Sequence, residues 1–270
     1  MTSGTLRARL LPPVHLSRLR GHRVLERNLM VSRRSWSILV SGFVEPVFYL
    51  FSIGIGVGAM VGDLPTTDGR PVSYAAFVAP ALLSASAMNG AVYESTFNIF
   101  FKLKWGKVYD AMLATPLRPI DIAMGEIGWS LIRGGLYALG FMAVMITFGL
   151  AESWWALMAV PGALLIGFAF AAAGMAATTF MRSWQDFDLV QLVTLPLFLF
   201  SATFFPLDVY PPVVQRLTNV SPLYHGVEMI RALTLGTVDA GVLGHAAFLA
   251  VMGAVGLTVA QRRLGRLLMP

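Results

Sequence analysis

The run SILVSGFVEPVFYLFSIGIGVGAMVG, residues 37–62, holds a single charged side chain, Glu45, in 26 positions. About 20 apolar residues suffice for a helix to cross a bilayer, so this run is long enough to span one. Outward from it, comparable runs recur at about 73–98, 122–149, 155–181, 187–205 and 241–260. The chain of 270 residues is 56% hydrophobic and 13% charged, with a mean hydropathy of +0.69. Those values lie outside the range of soluble domains. The expected fold class is all-α integral membrane, with six transmembrane helices.

Charge sets the orientation. With a cytoplasmic N-terminus, the inner segments carry sixteen Lys and Arg residues and the outer ones three, namely Arg70, Arg216 and Arg231. The inner set is eight arginines before residue 37, then Lys102, Lys104, Lys107, Arg118, Arg182, Arg262, Arg263 and Arg266. Positive charge collects on the cytoplasmic side, so both termini are expected there. The net charge of +6 then needs no nucleic acid. Residues 1–36 read as a cytoplasmic arm without a signal-peptide core, and 37–270 as one transmembrane domain. A helix over 14–36 lying on the membrane surface suits the arginines. Leu16, Leu19, Val24, Leu25 and Leu29 do not gather on one face, so a solvated basic tail is the alternative.

Several chemistries are missing from the pattern. There is no cysteine, so neither a disulfide nor a cysteine metal site is available. His15, His22, His225 and His245 form no ligand pair at metal spacing. No nucleophile elbow occurs. GIGVG at 54–58 ends a membrane run and is not a dinucleotide loop. Gly54, Gly58 and Gly62 recur every four residues, which suits close helix packing or simple loosening of a helix end. Lys107 follows a glycine, but Val108 stands where a phosphate-binding loop needs Ser or Thr. No catalytic, cofactor or metal site is expected in this chain. ATP, if used, must bind another polypeptide.

Near the C-terminus LFLFSATFFPLDVYPPVVQRLTNV, residues 197–220, leads into SPLYHGVEMIR, residues 221–231. This order of an aromatic span, a Phe-Phe-Pro exit, a proline-punctuated segment and Pro-Leu-x-His-x5-Arg resembles the ABC-2 family, the membrane subunits of type V ABC exporters. EPVFYLFSIGIGVG (45–58) and KVYDAMLATPLRPIDIAMGE (107–126) look like the permease of the nodulation lipo-oligosaccharide exporters, whose layout the daunorubicin-type permeases share. The resemblance implies a bacterial inner-membrane permease exporting an amphiphile: a lipid-linked saccharide, a lipid or a hydrophobic drug. It further implies a second permease subunit, identical or different, and separate nucleotide-binding subunits that hold ATP and Mg. Residues 206–240 would form short re-entrant helices between the fifth and sixth spans. The rival readings are a membrane-embedded enzyme of lipid or glycan metabolism and a membrane scaffold.

Four groups of candidate residues follow. In the outer motif, Pro222 starts a helix beside Tyr224, and His225, Glu228 and Arg231 recur every three residues along one side. They form local structural pairs or touch a departing head group. Glu45, Glu94, Glu126 and Arg133 are ionisable groups within apolar runs, where they face the protein interior. A Glu45–Arg133 contact is expected as a structural lock, with Glu94 as the second choice, and a role in lining the substrate path is the alternative. Phe198, Phe200, Phe204 and Phe205 line a substrate path or anchor the interface. Lys107, Val108, Tyr109, Asp110, Met112 and Leu113 form a short inner helix with one apolar side. It rests on membrane lipid headgroups or, as the resemblance implies, couples to the ATPase.

Overall fold

The computed structural model of the protein describes residues 20–32, 44, 46–65 and 69–268. Glu45, the first part of the run at 37–62 and both ends of the surface helix expected over 14–36 lie outside those residues. Helix α1 is Gly21–Ser32, and α2 is the apolar helix Pro46–Val61. After α2 comes a small antiparallel hairpin, β1 Asp63–Pro65 with β2 Pro71–Ser73, in which Leu64 pairs with Val72. Next come α3 Tyr74–Trp105, α4 Val108–Leu113, α5 Pro119–Thr147 and α6 Trp154–Thr178. The remainder is α7 Asp186–Leu199, α8 Pro212–Val220, α9 Pro222–Leu235 and α10 Gly241–Leu268. Helices α3, α5, α6 and α10 are long and apolar enough to cross a bilayer. The protein is an all-helical integral membrane protein.

Local chemistry sets the helix starts. The Ser73 hydroxyl accepts from the Ala76 amide at 3.2 Å and caps α3. Pro119 occupies the first position of α5, and the Asp121 carboxylate accepts from the Arg118 amide at 3.1 Å. Ser221 caps α9, Pro222 opens it, and Gly236 at φ +81° closes it in the left-handed region that glycine adopts without strain.

In the most apolar stretch of each long helix, α3 is 67% buried and α6 56%, against 28% for α5 and 17% for α10. The first two therefore form the centre of the bundle. The other two leave their apolar faces for lipid or another subunit. Small residues set how closely the helices approach. A Cβ on Gly174 would sit 2.1 Å from the Ser95 hydroxyl of α3, and one on Gly256 would sit 2.7 Å from the Ala172 backbone of α6. A Cβ on Gly54 or Gly58 would lie 3.6 Å from Ala75 or 3.5 Å from Tyr74 in the first turn of α3, an ordinary contact distance. Gly62 has φ +77° and nothing near it, so it ends α2 without contributing to that face.

Three expected spans differ from their sequence reading, the sixth by continuing past 260 to Leu268. The second continues to Trp105, so Lys102 and Lys104 ride on the last turns of a helix and not in a loop. The fifth, expected at 187–205, is the 14-residue α7 followed by non-helical backbone through Phe205. At 1.5 Å per residue α7 is roughly 21 Å long. The exit after it is held by polar contacts. Thr218 donates to the Phe200 carbonyl at 2.7 Å, Ser201 and Ser221 share a 2.6 Å bond, and Arg231 donates to the Ala202 carbonyl at 2.8 Å. Irregular backbone survives at membrane depth only when satisfied in this way, and the serines and threonines that interrupt the apolar run supply the bonds.

Candidate functional site

Helices α2, α3, α5 and α7 surround a cavity of about 760 Å³. Arg133 projects into it from α5 and meets Glu94 of α3. The Arg133 guanidinium also donates to the Tyr137 hydroxyl at 3.2 Å, while Asn98 donates to the other Glu94 oxygen at 2.6 Å. Glu94 opens a stretch of π-helix, Glu94–Asn98, a distortion that re-aims side chains and often marks functional positions. Thus the second-choice partner of Arg133 is in place, while Glu45 lies outside the described residues. The buried Nε of Arg133 has no partner among the described residues.

The rest of the lining is ring faces and neutral polar groups. Tyr93 stacks on Phe97 with centroids 5.0 Å apart, and Phe97 meets Trp184 and Phe187 edge-on or tilted at 5.3 and 5.4 Å. Asn89, Gln191 and Thr194 add amides and a hydroxyl. At the far end Phe198 reaches the lining and packs edge-on against Phe204. Phe200 and Phe205 are half exposed and absent from it. Two of the four candidate path aromatics are therefore brought together. Trp184, Phe187, Asn89 and Gln191 were not singled out from sequence. A polar side chain inside an apolar run was the available signal for Asn89 and Gln191.

A second polar cluster lies at the α3–α5 turn. Lys102 bonds Glu126 at 2.7 Å, and the Asn28 amide of α1 donates to the same carboxylate oxygen at 2.9 Å. Glu126 is thus the junction of α1, α3 and α5. Tyr109 of α4 is fully buried beside it, its hydroxyl without a well-aligned hydrogen bond among the described residues. Burial first, and then the adjacent Glu126 carboxylate, push the Tyr109 phenol well above its ordinary pKa. Tyr109, read from sequence as part of the helix that rests on headgroups or couples to the ATPase, instead packs its large apolar ring into its own chain. Met112 and Leu113 lean on the same core, with Val108 half buried. Lys104, Trp105, Lys107 and Asp110 are among the exposed residues of this segment. Lys107 has φ +44°, an uncommon left-handed conformation for a lysine, at the entry to α4.

At the opposite end Arg231 is buried and held on several sides. It donates to the Ala202 and Phe77 carbonyls at 2.8 and 3.3 Å, pairs with Glu228, and lies 3.9 Å over the Phe77 ring. Pro222 and Tyr224 occupy the first turn of α9, and His225 turns toward α10.

Comparison with known proteins agrees with this architecture. A profile described as "ABC-2 type transporter" matches residues 22–235. The chain is 33% identical to nodulation protein J of Rhizobium leguminosarum bv. viciae over 249 residues, 91% of this chain and 94% of that protein. It is 31% identical to nodulation protein J of Rhizobium meliloti (strain 1021), covering 92% and 93%. The inner membrane transport permease YadH of Escherichia coli (strain K12) is 25% identical over 76% of this chain and 79% of its own length.

Proposed function

The chain belongs to the ABC-2 type transporter family, and on that premise we propose that it is the permease subunit of an ATP-driven exporter of an amphiphile. The carrying observation is the cavity between α2, α3, α5 and α7, where ring faces and neutral polar groups surround one internally compensated ion pair. Such a lining accepts an apolar body and a hydrogen-bonding head together. Lipid-linked saccharides, lipids and hydrophobic drugs all share that form.

In this reading α2 and α7 complete six crossings, α8 and α9 are the re-entrant pair, and both termini face the cytoplasm of a bacterial inner membrane. Residues 1–36 form the cytoplasmic arm of a single transmembrane domain. The protein works as a dimer of permeases with two ATPase subunits, which carry the ATP and Mg. The turn from the end of α3 into α4 meets the ATPase through Trp105, Lys107 and Asp110, and Tyr109 anchors α4 to its own subunit. An exposed tryptophan beside a charged pair is the composition of a binding hot spot.

Purification with and without an ATPase encoded beside this chain tests the assignment. The complex should hydrolyse ATP and the permease alone should not bind it; stoichiometric ATP binding by the isolated permease would overturn the reading. The cysteine-free background allows orientation to be checked separately. In intact cells an impermeant thiol reagent should label Asp239→Cys and spare Lys104→Cys, and the reverse pattern would invert the topology.

A further inference from the structure

His225 of α9 and His245 of α10 meet with their Nδ1 atoms 2.7 Å apart. Phe248 stacks on His225 with centroids 4.0 Å apart, and the Tyr224 ring stands edge-on to His245. Neither ring belongs to the cavity or to the cluster around Glu126. We propose that this pair is a proton-limited clasp between the re-entrant helices and the last span, which holds with at most one positive charge and opens when both rings are protonated.

The argument is a count of protons. A nitrogen-to-nitrogen hydrogen bond needs one Nδ1–H donor and one bare Nδ1 acceptor. With both rings neutral, the donor carries its proton on Nδ1 and the acceptor carries its own on Nε2. One added proton goes to Nε2 of the donor ring, and the resulting imidazolium still donates, more strongly than before. A second added proton can only enter at the acceptor Nδ1. Two N–H groups and two positive charges then face each other, and the contact becomes repulsive. The contact therefore survives the first added proton and is broken by the second.

The surroundings favour the uncharged closed form. Burial, and then the adjacent His245, lower the pKa of His225 below its ordinary value, opposed by the Asn219 backbone on the α8 side. A depressed histidine stabilises the closed contact above the ordinary histidine range, and that stability is lost as the pH falls through the lowered value. The other ionisable groups nearby are engaged elsewhere. Glu228, one turn along α9, is paired with Arg231, and Arg231 reaches toward Phe77 of α3 and Ala202 beyond α7. Asp239, just before α10, accepts from the Gly241 amide. Tyr224 is a phenol whose pKa burial raises to about 12, so it stays neutral. Of α6, residues near this junction are apolar, as where Ile166 packs on Gly226. When the clasp opens, α9 remains fixed by Arg231, and Gly236 at φ +81° marks the joint about which α10 can part from it.

The permease alone, in lipid nanodiscs, suffices for the test, so the outcome is independent of the transport assignment. Spin labels at Val220→Cys and Leu243→Cys, both highly exposed, report the spacing between the re-entrant pair and α10. Lowering the pH from 8 to 4 should create a second, longer-distance population with its midpoint below the ordinary histidine pKa. His245→Asn keeps an N–H donor near the Nδ1 position and cannot titrate, so it should abolish the transition. His225→Asn should do the same from the other side, which guards against one variant misfolding. A pH-invariant distance in the parent protein, or the same transition in both asparagine variants, overturns the clasp.

Discussion

Arg231 and Arg133 are both arginines carried by apolar helices, each paired with a glutamate, and their surroundings differ in kind. Arg231 is saturated: two backbone carbonyls, the Glu228 carboxylate and the face of Phe77 enclose its guanidinium. Arg133 has one carboxylate and one hydroxyl, a buried Nε with no partner among the described residues, and a cavity on its open side. A cation that donates to irregular backbone, as Arg231 does to the Ala202 carbonyl, helps to fix that backbone, because a non-helical carbonyl has no helix ladder to satisfy it. A cation facing a cavity can exchange partners, because water or a ligand head group can replace what it leaves. The same residue type thus serves as a rivet at one end of the bundle and as a contact group in its middle.

The largest expected effect tests the rivet. Arg231→Ala strands the Ala202 carbonyl, leaves Glu228 without its partner and removes the contact with the Phe77 ring, so it should cost about 3–5 kcal/mol in thermal unfolding of the detergent-solubilised permease. Arg231→Lys keeps the charge but lacks the planar fork, and should fall between that and the parent. Arg133→Ala should cost less, about 1–3 kcal/mol, because the cavity lets water reach the Glu94 carboxylate. Equal losses for the two alanine variants would erase the distinction between the arginines.

A double substitution sharpens it further. Glu94→Leu with Arg133→Met removes both charges at similar volume, and such replacements are often neutral or stabilising. Stability should return to within about 1 kcal/mol of the parent by that principle. Export should not return. It can be read as the difference in extracellular amphiphiles, by mass spectrometry, between the complemented and deleted host strains. A double variant that exports normally would make Arg133 a structural residue like Arg231.

The two arginines also mark how far the sequence could be read. Glu228–Arg231 was legible because an i, i+3 pair depends only on helical geometry. Four of the six expected spans were legible for the same local reason, since length and hydropathy suffice. Glu94–Arg133 was ranked behind Glu45 because depth along a helix does not fix which face turns toward which neighbour. Tyr109 was misjudged for a related reason: an apolar stripe on a six-residue helix says that something covers it, not whether the cover is the same chain or another. Here it is α4's own subunit, around Glu126. Lys102 and Asn28 converge on Glu126 from positions 24 and 98 residues away, a distance over which no periodicity carries information. The His225–His245 contact joins two helices across a turn and was hidden for the same reason.

The smallest expected effect concerns the hydroxyl that Arg133 shares. Tyr137 lies one turn further along α5, with its ring 6.0 Å from the guanidinium and its hydroxyl accepting at 3.2 Å. Tyr137→Phe keeps the ring and removes the hydroxyl that accepts from Arg133. A bond from a charged donor to a neutral hydroxyl contributes about 1.5–3 kcal/mol when fully buried. In a cavity that can admit water, a solvent oxygen replaces the phenol and the net loss should fall to about 1 kcal/mol or less. Unfolding in detergent should therefore shift only slightly, while the exported amphiphile profile changes more than stability does. The reason is that Tyr137 helps set the direction of a guanidinium which the Glu94 carboxylate continues to hold. If Tyr137→Phe costs as much stability as Arg133→Ala, water does not reach that side of the cavity. Arg133 would then be as tightly enclosed as Arg231, and the middle of the bundle would be a packed core.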